Sequence, residues 1–140
     1  MTPSPTRLVV KLTAGSEALE RANQALTVAS TALASGFVVS LWLTGEATWL
    51  AVPGRAEQLE LEHAAAPAQL LAAILQGGSV TVCSQCAARR GLDLAALLPG
   101  TTIRGAASYV EEIMAPATQA IVYLSLIHIS EPTRRTPISY

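Results

Sequence analysis

Short apolar runs rich in β-branched residues alternate with helical patterns along this chain, and the alternation limits the fold more than any other feature. Strands are predicted at RLVVKLT (7–13), FVVSLWLTG (37–45), SVTVC (79–83), TTIRGA (101–106) and QAIVY (119–123). Because parallel strands need crossover connections, usually helices, the alternation predicts a single-domain, three-layer α/β/α fold. The sheet is expected to be five-stranded, mostly parallel and Rossmann-like in outline.

The segments between these strands carry helical spacing and terminal signals. Helices are predicted at 18–33, 67–76, 86–90 and 108–115. Ser16 is expected to cap the first of them, and Gly36 to end it. Ser108 and Glu111 have the spacing of a capping box and predict the start of the last helix.

The final stretch, LSLIHISEPTRRTPISY (124–140), differs in composition from the alanine-rich chain before it. It contains two prolines and two arginines, and it reads like the conceptual translation of a sequencing adapter. Sequence scars of this kind are excluded from fold reasoning. We therefore expect residues 1–123 to form the domain and residues 124–140 to be an artefactual tail.

Composition excludes several classes of function. The chain is 51% hydrophobic and 14% charged, which argues against disorder. A formal net charge of -1 gives no electrostatic footprint for nucleic acid or an anionic membrane. No apolar run is long enough for a membrane span, and the first residues lack a secretory signal. We expect a cytoplasmic, reducing setting, in which two cysteines are thiols more often than a structural disulfide.

The predicted fold indicates where chemistry should be found, because ligands of parallel α/β sheets gather beyond the carboxyl ends of the strands. The residues expected at that edge are Gly15 and Ser16 after the first strand, Glu46 after the second, Cys83 and Cys86 after the third, and Arg104 after the fourth. The edge therefore contains both cysteines of the chain.

The segment VTVCSQCAARRG (80–91) is the strongest chemical signal. A helix that begins just after Cys83 would direct unpaired N–H groups toward its sulfur, and Arg89 and Arg90 would add positive potential. These features favour a thiolate, which is the nucleophilic form of cysteine. The alternative is that Cys83 and Cys86 are small buried hydrophobic residues.

Other interpretations of the two cysteines have less support. A structural zinc site needs four ligands, whereas only Cys83, Cys86 and His63 remain once the tail is set aside, so no metal is expected. A thiol–disulfide redox protein is the better rival, since C-x-x-C between strand and helix is its signature. The loop after the first strand lacks a G-x-G-x-x-G pattern, so no dinucleotide cofactor is expected.

The chain resembles the DsrE family of sulfur-relay proteins, which includes the DsrE/DsrF and TusD-like proteins. The resemblance rests on KLTAG, SLWLTGEATWLA, VTVCSQCAARRG, PGTTIRGAASYVEE and QAIVY, and it covers nearly all of residues 7–123. It implies a single α/β domain with a five-stranded parallel sheet, assembled as a homo-oligomer. In relay members, a cysteine followed by an alanine-rich turn and Arg-Arg-Gly carries a persulfide.

By position, the resemblance makes Cys83 the persulfide carrier, with sulfur donor and acceptor proteins as partners and no cofactor. Cys86 has no certain counterpart, which leaves a local disulfide or a second, resolving thiol open. Arg89 and Arg90 are expected to support the anionic sulfur, with Gly15, Ser16 and Glu46 around the site. The expected function is a sulfur carrier or sulfurtransferase. The alternatives are a non-catalytic oligomeric ligand- or partner-binding module and a C-x-x-C redox protein.

Overall fold

Five parallel strands form one sheet at the centre of the molecule. The computed structural model describes residues 4–124, so the tail predicted at 124–140 lies, apart from its first residue, outside the described residues. The strands are β1 (Arg7–Leu12), β2 (Val38–Leu43), β3 (Ser79–Cys83), β4 (Thr102–Arg104) and β5 (Thr118–Tyr123). Their order is β4-β3-β2-β1-β5, and every pairing is parallel. The predicted α/β fold with a parallel five-stranded sheet is confirmed.

Helices form the connections between the strands. They are α1 (Leu19–Ala34), α2 (Pro67–Gly77), α3 (Ser84–Arg89) and α4 (Ala106–Ile113). Shorter 3₁₀ turns, among them Gly45–Ala51 after β2, fill the loops at the carboxyl edge. None of the helices within residues 4–124 has the length and apolar content needed to cross a membrane.

The sheet face beneath α1 and α2 carries the hydrophobic core. Val10 of β1 and Leu41 of β2 are fully buried there. They belong to one cluster with Leu26 of α1 and Ile74 of α2, which are also fully buried. Burying a side chain of this size contributes about 1.5–3 kcal/mol, so this packing fixes the sheet on which the carboxyl edge is built.

The opposite face lies beneath α4 and is polar at its centre. The Glu112 carboxylate accepts hydrogen bonds from Ser40 Oγ at 2.6 Å and from Trp42 Nε1 at 3.1 Å. Its other oxygen pairs with the Arg104 guanidinium at 2.6 Å. Burial alone would raise the pKa of Glu112, yet the three donors and the charge of Arg104 hold that pKa below its ordinary value. Glu112 therefore fastens α4 to the sheet as a carboxylate.

Two of the predicted helix caps are wrong. Ser16 is exposed inside a 3₁₀ turn and caps nothing, because that turn places Ala18 at the N-cap of α1, which has no side-chain cap. Ser108 lies within α4, which begins at Ala106 without any side-chain cap. The chain enters α4 directly after β4, with the extended residue Gly105 at the N-cap, so Ser108 falls within the first turn of the helix.

The short helix after β3 also begins earlier than predicted. We expected it to start at Cys86, whereas α3 starts at Ser84, directly after the strand. Cys83 is thus the last strand residue and the N-cap of the helix, with φ −62° and ψ 129°. The strand-to-helix transition is therefore made at Cys83.

Candidate functional site

An open cleft of about 570 Å³ lies at the carboxyl ends of β1, β2 and β3. The residues that line it include Lys11, Thr13, Thr44, Gly45, Glu46, Cys83, Cys86, Arg89 and Arg90. The fold therefore brings both cysteines, both arginines and Glu46 together, as the sequence predicts. Gly15 and Ser16 are not among the described lining residues.

Cys83 presents its sulfur to this cleft because it ends a strand and begins a helix. Along β3 it shares a face with Thr81, on the side of the sheet that carries α4, and it is half-buried. The backbone N–H groups of Gln85 and Cys86 lie near the Cys83 sulfur and lower the pKa of its thiol, although the side chain forms no capping hydrogen bond with α3. These first-turn N–H groups have no partner inside the helix.

The pKa of Cys83 is lowered by these surroundings. Burial alone would raise it, but the backbone N–H of Cys86, the Cys86 thiol, the backbone N–H of Gln85 and the charge of Lys11 together outweigh burial. A lowered thiol pKa increases the thiolate fraction near neutral pH. The site therefore combines a lowered thiol pKa with partial exposure of Cys83 in an open cleft.

Lys11 is a residue of the cleft that is not among the site residues predicted from the sequence. It lies in β1, and its half-buried ammonium group is 5.1 Å from the centre of the Tyr109 ring. The stem of Lys11 crosses apolar surface while its charge reaches the cleft and acts on Cys83. The signal was present in the sequence, because a lysine inside the apolar run RLVVKL must face a site, a partner or solvent.

Cys86 lies one helical turn after Cys83 and is buried, with 8% of its surface exposed. The backbone N–H of Gly45 donates to the Cys86 sulfur at 3.2 Å, across the gap between the loop after β2 and α3. The nearby Cys86 thiol also contributes to the lowered pKa of the Cys83 thiol. Gly45 has φ +55°, a backbone conformation that glycine adopts without strain. Both thiols thus lie at the same cleft, three residues apart in the chain.

The two arginines differ in what they contact. Arg90 donates to the Glu46 carboxylate at 2.8 Å and to the Cys86 carbonyl oxygen at 3.2 Å, so its guanidinium ties the end of α3 to the loop after β2. Arg89 is exposed at the rim of the cleft. The cation that lowers the pKa of Cys83 is Lys11. Electrostatic support from Arg89 and Arg90 stays a prediction.

Gly15 packs against the loop after β2, which contributes Glu46 to the cleft. It is buried, and a Cβ added there would lie 2.6 Å from the carbonyl oxygen of Glu46. A glycine at this position therefore lets the loops after β1 and β2 touch.

His63 lies away from the cleft, exposed and with φ +59°. Within residues 4–124, no three side chains of His, Cys, Asp or Glu are grouped closely enough to hold a metal ion.

One family model matches most of the chain, and solved structures share its fold. The DsrE/DsrF-like family model matches residues 7–121 of the chain. The crystal structure of the ychN protein from E. coli superimposes with a TM-score of 0.65 at 19% identity, covering 85% of this chain and 99% of that one. MTH1491 from Methanobacterium thermoautotrophicum, a protein of unknown function, gives a TM-score of 0.64 at 13% identity, covering 83% and 97%. No curated protein matches the sequence.

Proposed function

This chain belongs to the DsrE/DsrF-like family, and on that premise we propose that it is a small cytoplasmic sulfur carrier that holds a persulfide on Cys83. One observation carries the proposal: the Cys83 sulfur lies in an open cleft, where two backbone N–H groups and the charge of Lys11 lower its pKa. A sulfur carrier needs a thiolate that is both nucleophilic and reachable. Neither property would be expected of a cysteine that only fills the core.

The transfer follows ordinary thiol exchange chemistry. The Cys83 thiolate attacks the outer sulfur of a donor persulfide, R–S–SH, and forms Cys83–S–SH while R–S⁻ leaves. An acceptor thiolate, R′–S⁻, then attacks the outer sulfur of Cys83–S–SH, forms R′–S–SH and restores the Cys83 thiolate. Both steps conserve charge and need no metal or organic cofactor. The donor is proposed to be a protein that presents a persulfide to the cleft, and the acceptor a protein that presents a thiolate.

The chain is also proposed to form a homo-oligomer. Val110 of α4, Met114 directly after α4 and Val122 of β5 are 52%, 75% and 47% exposed. Exposed apolar side chains on neighbouring elements are typical of a surface that associates. Light scattering coupled to gel filtration tests this part, and a monomer at micromolar concentration would contradict it.

Loading with sulfane sulfur tests the main proposal. The reduced Cys86→Ser variant is incubated with inorganic polysulfide, freed of the donor by gel filtration, and mapped by peptide mass spectrometry. Serine keeps a hydroxyl donor beside the Cys83 sulfur. We expect one added sulfur on Cys83 and none in the Cys83→Ser variant. The absence of added sulfur, under conditions that load a known carrier, would refute the proposal.

A thiol–disulfide redox protein is the second candidate, and the contact between Cys86 and the Cys83 sulfur favours it. That function needs both cysteines, whereas sulfur loading needs Cys83 alone. A Cys86→Ser variant that still takes up sulfur therefore supports the carrier. A non-catalytic binding module is the third hypothesis, and it predicts two thiols that react slowly with an alkylating reagent.

A further inference from the structure

The Cys83–Cys86 pair contains more than sulfur carriage requires. Transfer between a donor and an acceptor uses one thiolate, yet a second thiol, that of Cys86, lines the same cleft. Positions three apart at the start of a helix lie on the same side, so Cys86 lies near Cys83, but it is far more buried. Its burial keeps it from reacting directly with large partners.

The loop after β2 prepares Cys86 to act as a nucleophile. The Gly45 N–H already points at the Cys86 sulfur from 3.2 Å. A backbone N–H donates a stronger hydrogen bond to an anionic acceptor than to a neutral one, so this contact favours attack by the Cys86 sulfur. Arg90 donates hydrogen bonds to both the Cys86 carbonyl oxygen and the Glu46 carboxylate. These two bonds hold α3 against the loop that contains Gly45.

From this arrangement we propose a second activity, which rests on the proposed function: Cys86 resolves a persulfide on Cys83 and releases its outer sulfur as hydrogen sulfide. The Cys86 sulfur attacks the inner sulfur of Cys83–S–SH and forms the Cys83–Cys86 disulfide, while the bond to the outer sulfur breaks. The balance is Cys83–S–SH + Cys86–SH → Cys83–S–S–Cys86 + H₂S. The sulfane sulfur is reduced to sulfide, the two thiols are oxidised to a disulfide, and the Cys86 proton goes to the departing sulfide.

The open cleft suits the departing sulfur. A sulfur added to Cys83 would occupy the cleft that Lys11 and Arg89 also line. Neither cation has an ion-pair partner among the described residues. Cationic groups stabilise the negative charge that develops on the leaving sulfur. An external dithiol reductant then returns the disulfide to two thiols, and an acceptor thiol that reaches the outer sulfur first competes with this release.

Timed release of sulfide tests the proposal. Reduced wild type and the Cys86→Ser variant are each mixed with inorganic polysulfide and passed through a gel-filtration column. Free sulfide and intact mass are then followed over time. We expect wild type to release sulfide roughly tenfold or more faster than the variant, because a thiol held in contact reacts at a high effective concentration. Wild type should end with no alkylatable thiol, and adding dithiothreitol should restore two.

The controls separate this activity from the carrier function. Cys86→Ala, tested beside Cys86→Ser, shows whether the hydroxyl itself affects retention of the sulfur, and both variants should keep sulfur on Cys83. Wild type that retains its sulfur as long as these variants would overturn the release activity and leave the carrier function intact. Failure of the Cys86 variants to load any sulfur would overturn the carrier function, and the release activity with it.

Discussion

The Glu112→Gln substitution should weaken the attachment of α4 to the sheet. The Glu112 side chain is 12% exposed and receives hydrogen bonds from Ser40, Trp42 and Arg104. Glutamine keeps the oxygen that serves Ser40 and Trp42. It replaces the oxygen facing Arg104 with an amide nitrogen, so two donors oppose each other and a charge-assisted bond is lost.

The expected cost follows from that one lost bond. A hydrogen bond to a charged group contributes about 1.5–3 kcal/mol. Arg104 is 37% exposed, so solvent screening lowers the electrostatic part, and we expect a loss of about 2 kcal/mol. Its neighbour Glu111 is exposed, and Glu111→Gln should change stability by less than about 0.5 kcal/mol. The two variants remove the same charge one residue apart.

Urea unfolding followed by tryptophan fluorescence measures both variants. The pKa of Glu112 is lowered in the folded protein, so its contribution is complete above the ordinary glutamate pKa and is lost as pH falls through the folded value. The difference between wild type and Glu112→Gln should therefore be full at neutral pH and shrink below about pH 4.3. Equal stabilities for Glu112→Gln and Glu111→Gln would refute the reasoning, and so would a difference that does not change with pH.

Two further substitutions test the cleft. Lys11→Met keeps the apolar stem and removes the charge, so the pKa of Cys83 should rise, and by more than in Arg89→Met. A pH titration of the alkylation rate measures the Cys83 pKa in both variants. A larger rise in Arg89→Met would contradict the role of Lys11. Gly15→Ala brings a Cβ to 2.6 Å from the Glu46 carbonyl oxygen and should cost about 1–3 kcal/mol in urea unfolding, whereas unchanged stability would show that the two loops separate freely.

The layers of this fold could be predicted because they depend on local patterns. Continuous β-branched runs such as SVTVC identify strands buried on both faces, and the alternation with helices requires parallel pairing. The position of Cys83 at the carboxyl edge follows from the same reasoning. Strand order and the attachment of α4 by Glu112 did not follow, because both depend on contacts between residues far apart in the sequence.

Details of the site were harder to predict for two physical reasons. Ser16 and Ser108 have the sequence context of helix caps, but α1 begins after a 3₁₀ turn with Ala18 as its N-cap, and α4 begins two residues before Ser108. Sequence proximity favours Arg89 and Arg90, rather than Lys11, as the cations that act on Cys83, because the two arginines closely follow the cysteines. In the folded chain Arg90 is held by Glu46, whereas Lys11 reaches Cys83 across β2.

Alkylation of the reduced wild-type protein at graded pH, with the two cysteines resolved by peptide mass spectrometry, tests the account most directly. We predict that Cys83 reacts first and that its rate rises with a midpoint below the ordinary cysteine pKa of about 8.5, while Cys86 stays largely unmodified. A Cys83 midpoint at or above that value, or a faster reaction at Cys86, would contradict the claim that this fold keeps an accessible thiolate at Cys83.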